Sequence, residues 1–123
     1  MKRILLCLMV ALFATGCLFA KNNDEKMNVM SYNIRYDNSG DKDNQWKFRR
    51  DFAADLVKFY EADVFGAQEV LNNQLNDLLD RLPEYAYVGV GREDGKTKGE
   101  YAPIFYRKDR FSVDKSGNFW LAE

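Results

Sequence analysis

The order in which apolar segments follow one another restricts the fold of this chain more than any other feature. Met27 to Tyr36 alternates and is rich in β-formers, which predicts a strand. Val29, Ser31, Asn33 and Arg35 would share one face of it, and Met30, Tyr32, Ile34 and Tyr36 the other. Phe48 to Tyr60 carries Phe52, Leu56, Phe59 and Tyr60 at helical spacing, flanked by Ala53 and Val57, which predicts an amphipathic helix. Ala62 to Ala67 reads as a short buried strand ending in Gln68-Glu69. Asn72 caps a second expected helix, with Leu75, Leu78, Leu79 and Leu82 inward and Pro83 at its end. Tyr85 to Val90 is a third strand. Tyr101–Arg107, Arg110–Asp114 and Asn118–Leu121 are expected as further strands, with tight turns at Lys108-Asp109 and Ser116-Gly117. Helices between strands allow parallel pairs, and short turns demand antiparallel ones. The expected architecture is therefore α+β, a layered sandwich with a mixed β-sheet flanked by two helices.

The first residues read as an address. Lys2 and Arg3 precede an uncharged apolar run from Ile4 to Ala14, shorter than the roughly 20 residues a bilayer-spanning helix needs. This is the pattern of a secretory signal peptide. Ala14-Thr15-Gly16-Cys17 resembles a bacterial lipobox, so residues 1–16 are expected to be a leader, Cys17 a lipidation site and 17–26 a tether. Cleavage after Ala20 is the alternative. The expectation is an exported, membrane-anchored envelope lipoprotein touching the membrane through its anchor only, or otherwise a periplasmic or secreted protein. Cys7 and Cys17 are the two cysteines of the chain, the first in this leader and the second at its end. The body of the chain thus has no disulfide partner and must be held by burial alone. Aromatics make up 15% of the chain, and Trp46, Phe48, Phe52 and Phe59 are expected among its core and helix-packing residues.

The chain contains no histidine. Ser-His-Asp and Cys-His nucleophiles, His-ligated zinc and a His general base are therefore excluded within it. A net charge of −1 argues against a non-specific nucleic-acid binder, which would carry a basic stripe. Carboxylates, amides, Arg, Lys, Tyr and a bound cation remain as sources of chemistry. Ligand sites of open α/β sheets gather outside strand ends. Asn33 on the first strand and Glu69 at the exit of the second could therefore meet, with Arg35 beside them for a phosphate oxygen. On spacing alone, a strand asparagine and a strand-end glutamate are usually just solvated or capping groups. Asp37, Ser39, Asp41 and Asp43 alternate like a calcium loop, but Lys42 and Phe48 stand where the turn glycine and the bidentate glutamate belong. Gly89 and Gly91 lack the third glycine of a dinucleotide fingerprint, and Lys96, Lys98, Arg107, Lys108 and Arg110 read as charged hairpin tips.

Met30-Ser31-Tyr32-Asn33-Ile34-Arg35-Tyr36, followed by Asp63-Val64-Phe65-Gly66-Ala67-Gln68-Glu69-Val70, resembles the first two motifs of the endonuclease/exonuclease/phosphatase superfamily. Gly99 to Arg107 and Asn118 to Glu123 resemble its next two strands, in the same order, and secreted bacterial members are the most similar. The resemblance covers the amino-terminal half only. It implies that residues 27–123 are an incomplete domain, half of a four-layer α-β-β-α arrangement. It also implies a phosphoesterase that hydrolyses phosphodiesters or phosphomonoesters with Mg²⁺ or Mn²⁺ and an activated water. By that resemblance Asn33 and Glu69 are catalytic and metal-holding, while Arg35, Glu100 and Tyr101 border the substrate. Arg35 stands where some members have an acidic ligand, which favours a phosphate contact there. The implied partner is a phosphate ester: nucleic acid, a lipid head group, or an inositol or sugar phosphate. The superfamily's catalytic histidine and second metal motif have no counterpart in this chain, so the fragment is expected to be inactive alone. A non-catalytic binding module built on the same fold is the alternative.

Overall fold

A computed structural model describes residues 26–121. The leader, Cys17 and nearly all of the tether lie outside the described residues. Four strands form one mixed sheet: β1 (Val29–Asn33), β2 (Val64–Gln68), β3 (Tyr85–Val88) and β4 (Ile104–Arg107), in the order β1-β2-β4-β3. β1 and β2 run parallel, joined by helix α1 (Trp46–Phe59), whereas β4 is antiparallel to both β2 and β3. Helix α2 (Asn72–Arg81) joins β2 to β3. The expected α+β class and mixed sheet are observed. Among the described residues there is one helix layer on one sheet.

Both helices and the sheet share one core. Phe65 and Phe105 stack face to face at 4.5 Å, with Tyr85 edge-on to Phe65 and its hydroxyl donating to the Ala62 carbonyl. Leu75 and Leu78 of α2 and Leu82 at its C-terminal cap bury against them, and Trp46, Ala53, Ala54 and Val57 of α1 belong to the same cluster. The helices are tied to each other by the Trp46 indole donating to Asp77 and by ion pairs from Arg50 to Asp77 and from Arg81 to Asp51, while Arg81 also pairs with Asp77 within α2. At the opposite end, buried Asp63 accepts from the Asn28 backbone at 2.8 Å and pairs with Arg110. It thereby ties the starts of β1 and β2 to the turn after β4.

Several sequence expectations need correction. β1 stops at Asn33 and not Tyr36, because Arg35 adopts φ +59°, so Arg35 leaves the face it was expected to share with Asn33. The polar segment after it holds a 3₁₀ helix at Ser39–Asn44. α1 begins at Trp46 and presents Ala53, Ala54 and Val57 inward, while Phe48, Phe52, Phe59 and Tyr60 are exposed. Small side chains let the helix approach the sheet closely, and the aromatics fall on the opposite side. The cap of α2 is Leu71, not Asn72. β3 ends at Val88, and β4 starts only at Ile104, Tyr101 forming a single bridge with Val70. No strand forms at 110–114 or 118–121: turns and irregular backbone take their place.

Candidate active site

The parallel register pairs Asn33 with Gln68, so the last residue of β1 lies beside the last residue of β2. Glu69 follows at once. Its backbone takes φ +58°, a left-handed conformation that costs a non-glycine residue on the order of 1 kcal/mol and persists only where surrounding contacts over-determine it. Those contacts are visible. The Asn33 side-chain amide donates to Glu69 Oε1 at 2.9 Å, and the Tyr36 backbone N–H donates to Oε2 at 3.2 Å. The two residues expected to meet do meet.

The Asn33 amide and then the Tyr36 N–H hold the Glu69 carboxyl below the usual glutamate range, against a smaller opposing effect of partial desolvation and with a further pull from Arg35. Its side chain remains one-third exposed (33%), so it is an ionised carboxylate open to solvent. A carboxylate has about four lone-pair sites, and two are used here. Asn33 Oδ1 in turn accepts from the Arg35 backbone N–H at 2.8 Å, which fixes which end of the amide faces Glu69.

Arg35 lies in the same cluster. Its guanidinium makes a two-pronged pair with Asp41, both bonds 3.0 Å, stacks over the Tyr36 ring and stands 4.0 Å from Glu69 Oε2. Asp41, one of the alternating loop carboxylates, is therefore an arginine partner, and Asp37 accepts from Asn73. Glu100 and Tyr101 lie on the other side of Glu69. With Glu69, Gln68, Arg92 and Trp120 they line an open cleft of about 670 Å³. Glu100 pairs with Arg92 at 3.4 Å, and the buried Tyr101 donates its hydroxyl to Asn72 Oδ1.

Two residues that support this cluster, Gln74 and Arg49, have no site role among the sequence expectations. Gln74 is fully buried and binds three backbone groups around the site. Arg49 donates to the carbonyls of Ile34 and Arg35. A polar residue such as Gln74, falling on the buried stripe between leucines of α2, was the available signal.

A hard divalent cation takes one or two protein carboxylates and completes its shell with water and phosphate oxygens. Glu69 fits the first of these ligands, being ionised, open and only half-used by hydrogen bonds. No group of three or more acidic, histidine or cysteine side chains suited to a metal exists among the described residues. Among the described residues, the donor set therefore fits a cation held by one carboxylate, with water and phosphate oxygens in the rest of its shell.

No family model matches the chain. Solved structures do. An endonuclease/exonuclease/phosphatase from Bacteroides vulgatus superposes with a TM-score of 0.74 at 56% identity, over 76% of this chain and 36% of that one. A mannosyl-6-phosphatase of Bacteroides thetaiotaomicron superposes with a TM-score of 0.77 at 44% identity, over 80% of this chain and 38% of that one. Among curated proteins, the 3′-5′-exoribonuclease subunit of the CCR4-Not complex of Mycosarcoma maydis is 28% identical over 108 residues, or 72% of this chain and 16% of that one. The chain spans less than a fifth of the curated relatives it matches. Fold and identity together place the chain in the endonuclease/exonuclease/phosphatase superfamily, over a stretch equal to just over a third of the solved relatives' length.

Proposed function

We propose that this chain supplies the asparagine–glutamate part of a divalent-metal phosphoesterase site. The observation that carries the reading is the 2.9 Å bond from Asn33 to Glu69, formed between the ends of two parallel strands. Mg²⁺ or Mn²⁺, when bound, neutralises charge building on the phosphate oxygens as water displaces the ester oxygen. Glu69 offers that cation its two unused lone-pair sites. Asn33 keeps the carboxylate aimed, and its second amide hydrogen is left for a phosphate oxygen. Arg35, held by Asp41 yet 47% exposed, presents positive charge beside the same point. Glu100 and Tyr101 border the cleft in which the rest of the ester would lie.

The substrate class is a phosphate ester. Similarity to a sugar-phosphate phosphatase supports a monoester, and similarity to an exoribonuclease subunit supports a diester. Because the chain has no histidine, a histidine that activates water has to come from outside these 123 residues. Alone, the chain is expected to hold metal and turn over no phosphate ester. The test is calorimetric titration with Mn²⁺ of the chain and of Glu69→Gln. The variant keeps the size of the side chain and loses its charge, and at least a tenfold loss of affinity is expected with the melting temperature little changed. Equal affinity in the two proteins would remove Glu69 from the role.

A further inference from the structure

Gln74 is the one fully buried polar side chain of α2, and none of its hydrogen bonds goes to Glu69. Its position is explained by three backbone groups. Oε1 accepts from Asp37 N at 3.0 Å and from Leu71 N at 3.1 Å, while Nε2 donates to the Arg35 carbonyl at 2.9 Å. Arg35 and Asp37 flank Tyr36, whose N–H holds Glu69 Oε2. Leu71 lies two residues beyond Glu69 on the exit of β2. A single amide thus ties the segment that reaches toward the carboxylate to the segment that carries it.

From this geometry we infer that Gln74 is a positioning residue for the metal-holding carboxylate, an inference that rests on the role proposed for Glu69. No other side chain of that size does the same work. Leucine or methionine offers no hydrogen bond. An ionised glutamate could accept from Asp37 and Leu71 but cannot donate to the Arg35 carbonyl, and a protonated one has a single donor in place of the amide's two. Arg49 also donates to that carbonyl, at 3.0 Å, so the segment would not come free without Gln74. It would lose its registration against β2. An uncompensated shift in a residue that orients a metal ligand commonly weakens metal affinity 10–100-fold.

The experiment compares the chain with Gln74→Met, which keeps volume and flexibility, and with Leu78→Ala, a buried change in the same helix away from the site. Mn²⁺ affinity and amide hydrogen exchange at Tyr36 are read in all three. The inference expects Gln74→Met to bind Mn²⁺ 10–100-fold more weakly and to lose protection at Tyr36, with Leu78→Ala near the parent in both. Affinity within twofold of the parent, or equal losses in the two variants, would overturn it. If Gln74→Met does not fold, Gln74→Glu replaces it, with a loss in the same direction expected and parent-like affinity overturning the inference. A parent chain that binds no Mn²⁺ defeats the phosphoesterase reading. Exchange in the metal-free proteins then decides the role of Gln74: selective loss at Tyr36 supports it, and unchanged protection overturns it.

Discussion

Two residues of the site, Arg35 and Glu69, adopt left-handed backbone conformations, at φ +59° and +58°. Neither is a glycine, and each is held by its neighbours: Arg35 N–H by Asn33 Oδ1, and the Glu69 carboxylate by Asn33 and Tyr36. Backbone strain here coincides with the point where two strands deliver polar side chains. Asp63 shows the contrasting case of a carboxylate that serves stability. It is 3% exposed, and its carboxyl is held low first by the Asn28 N–H, with Arg110 assisting against the cost of burial. A carboxyl lowered by folding adds stability that is present above its unfolded pKa, near 3.9, and that disappears as pH falls through the lower folded value. Asp63→Asn should therefore cost about 2 kcal/mol at neutral pH. The gap between parent and variant should close below about pH 4, as read by urea unfolding across pH. A gap that widens on acidification would contradict this account of Asp63.

At the scale of elements, much of the arrangement was legible in the sequence. The strand–helix–strand–helix–strand order, the buried leucine stripe of α2 and the exit of β2 into Glu69 all follow from periodicity and appear as expected. What failed had identifiable causes. Residues 110–114 and 118–121 have strand-like composition but find no partner strand among the described residues, and composition cannot supply one. In α1 two stripes compete, one aromatic and one of small residues. Size suggested Phe48, Phe52 and Phe59, but close approach to the sheet selected Ala53, Ala54 and Val57. The choice can be checked by mutation. Phe52→Ser should change stability by no more than about 0.5 kcal/mol, because the ring is 68% exposed. Val57→Ala should cost about 2 kcal/mol, since Val57 is fully buried and the cavity cannot close. Thermal unfolding of both variants reads the difference, and the reverse order would place the aromatic stripe in the core. For the site, Asn33 and Glu69 could be named from motif and strand ends. The roles of Gln74 and Arg49 are less legible, because their partners are backbone atoms that only the folded chain brings near, although a polar residue on the buried stripe of α2 marks Gln74.

Over the whole molecule, one sheet separates two environments. One face is sealed by both helices around Phe65 and Phe105. The other carries Val29, Ser31 and Asn33 of β1 and Ile104 of β4, with Val29 65% and Ile104 49% exposed. The cluster of Asn33, Arg35 and Glu69 lies at the strand ends between these faces, where a ligand can reach it without crossing the core. This arrangement is the fold shared with the endonuclease/exonuclease/phosphatase relatives, over just over a third of their length. The central claim of the proposed function is that Asn33 and Glu69 converge on one divalent cation. Substoichiometric Mn²⁺ added to isotope-labelled chain tests this directly through paramagnetic broadening in the NMR spectrum. The account predicts the strongest broadening at the Asn33 side-chain amide and the Tyr36 backbone N–H; broadening centred on residues 41–44 or on Glu100, or none at all, would contradict it.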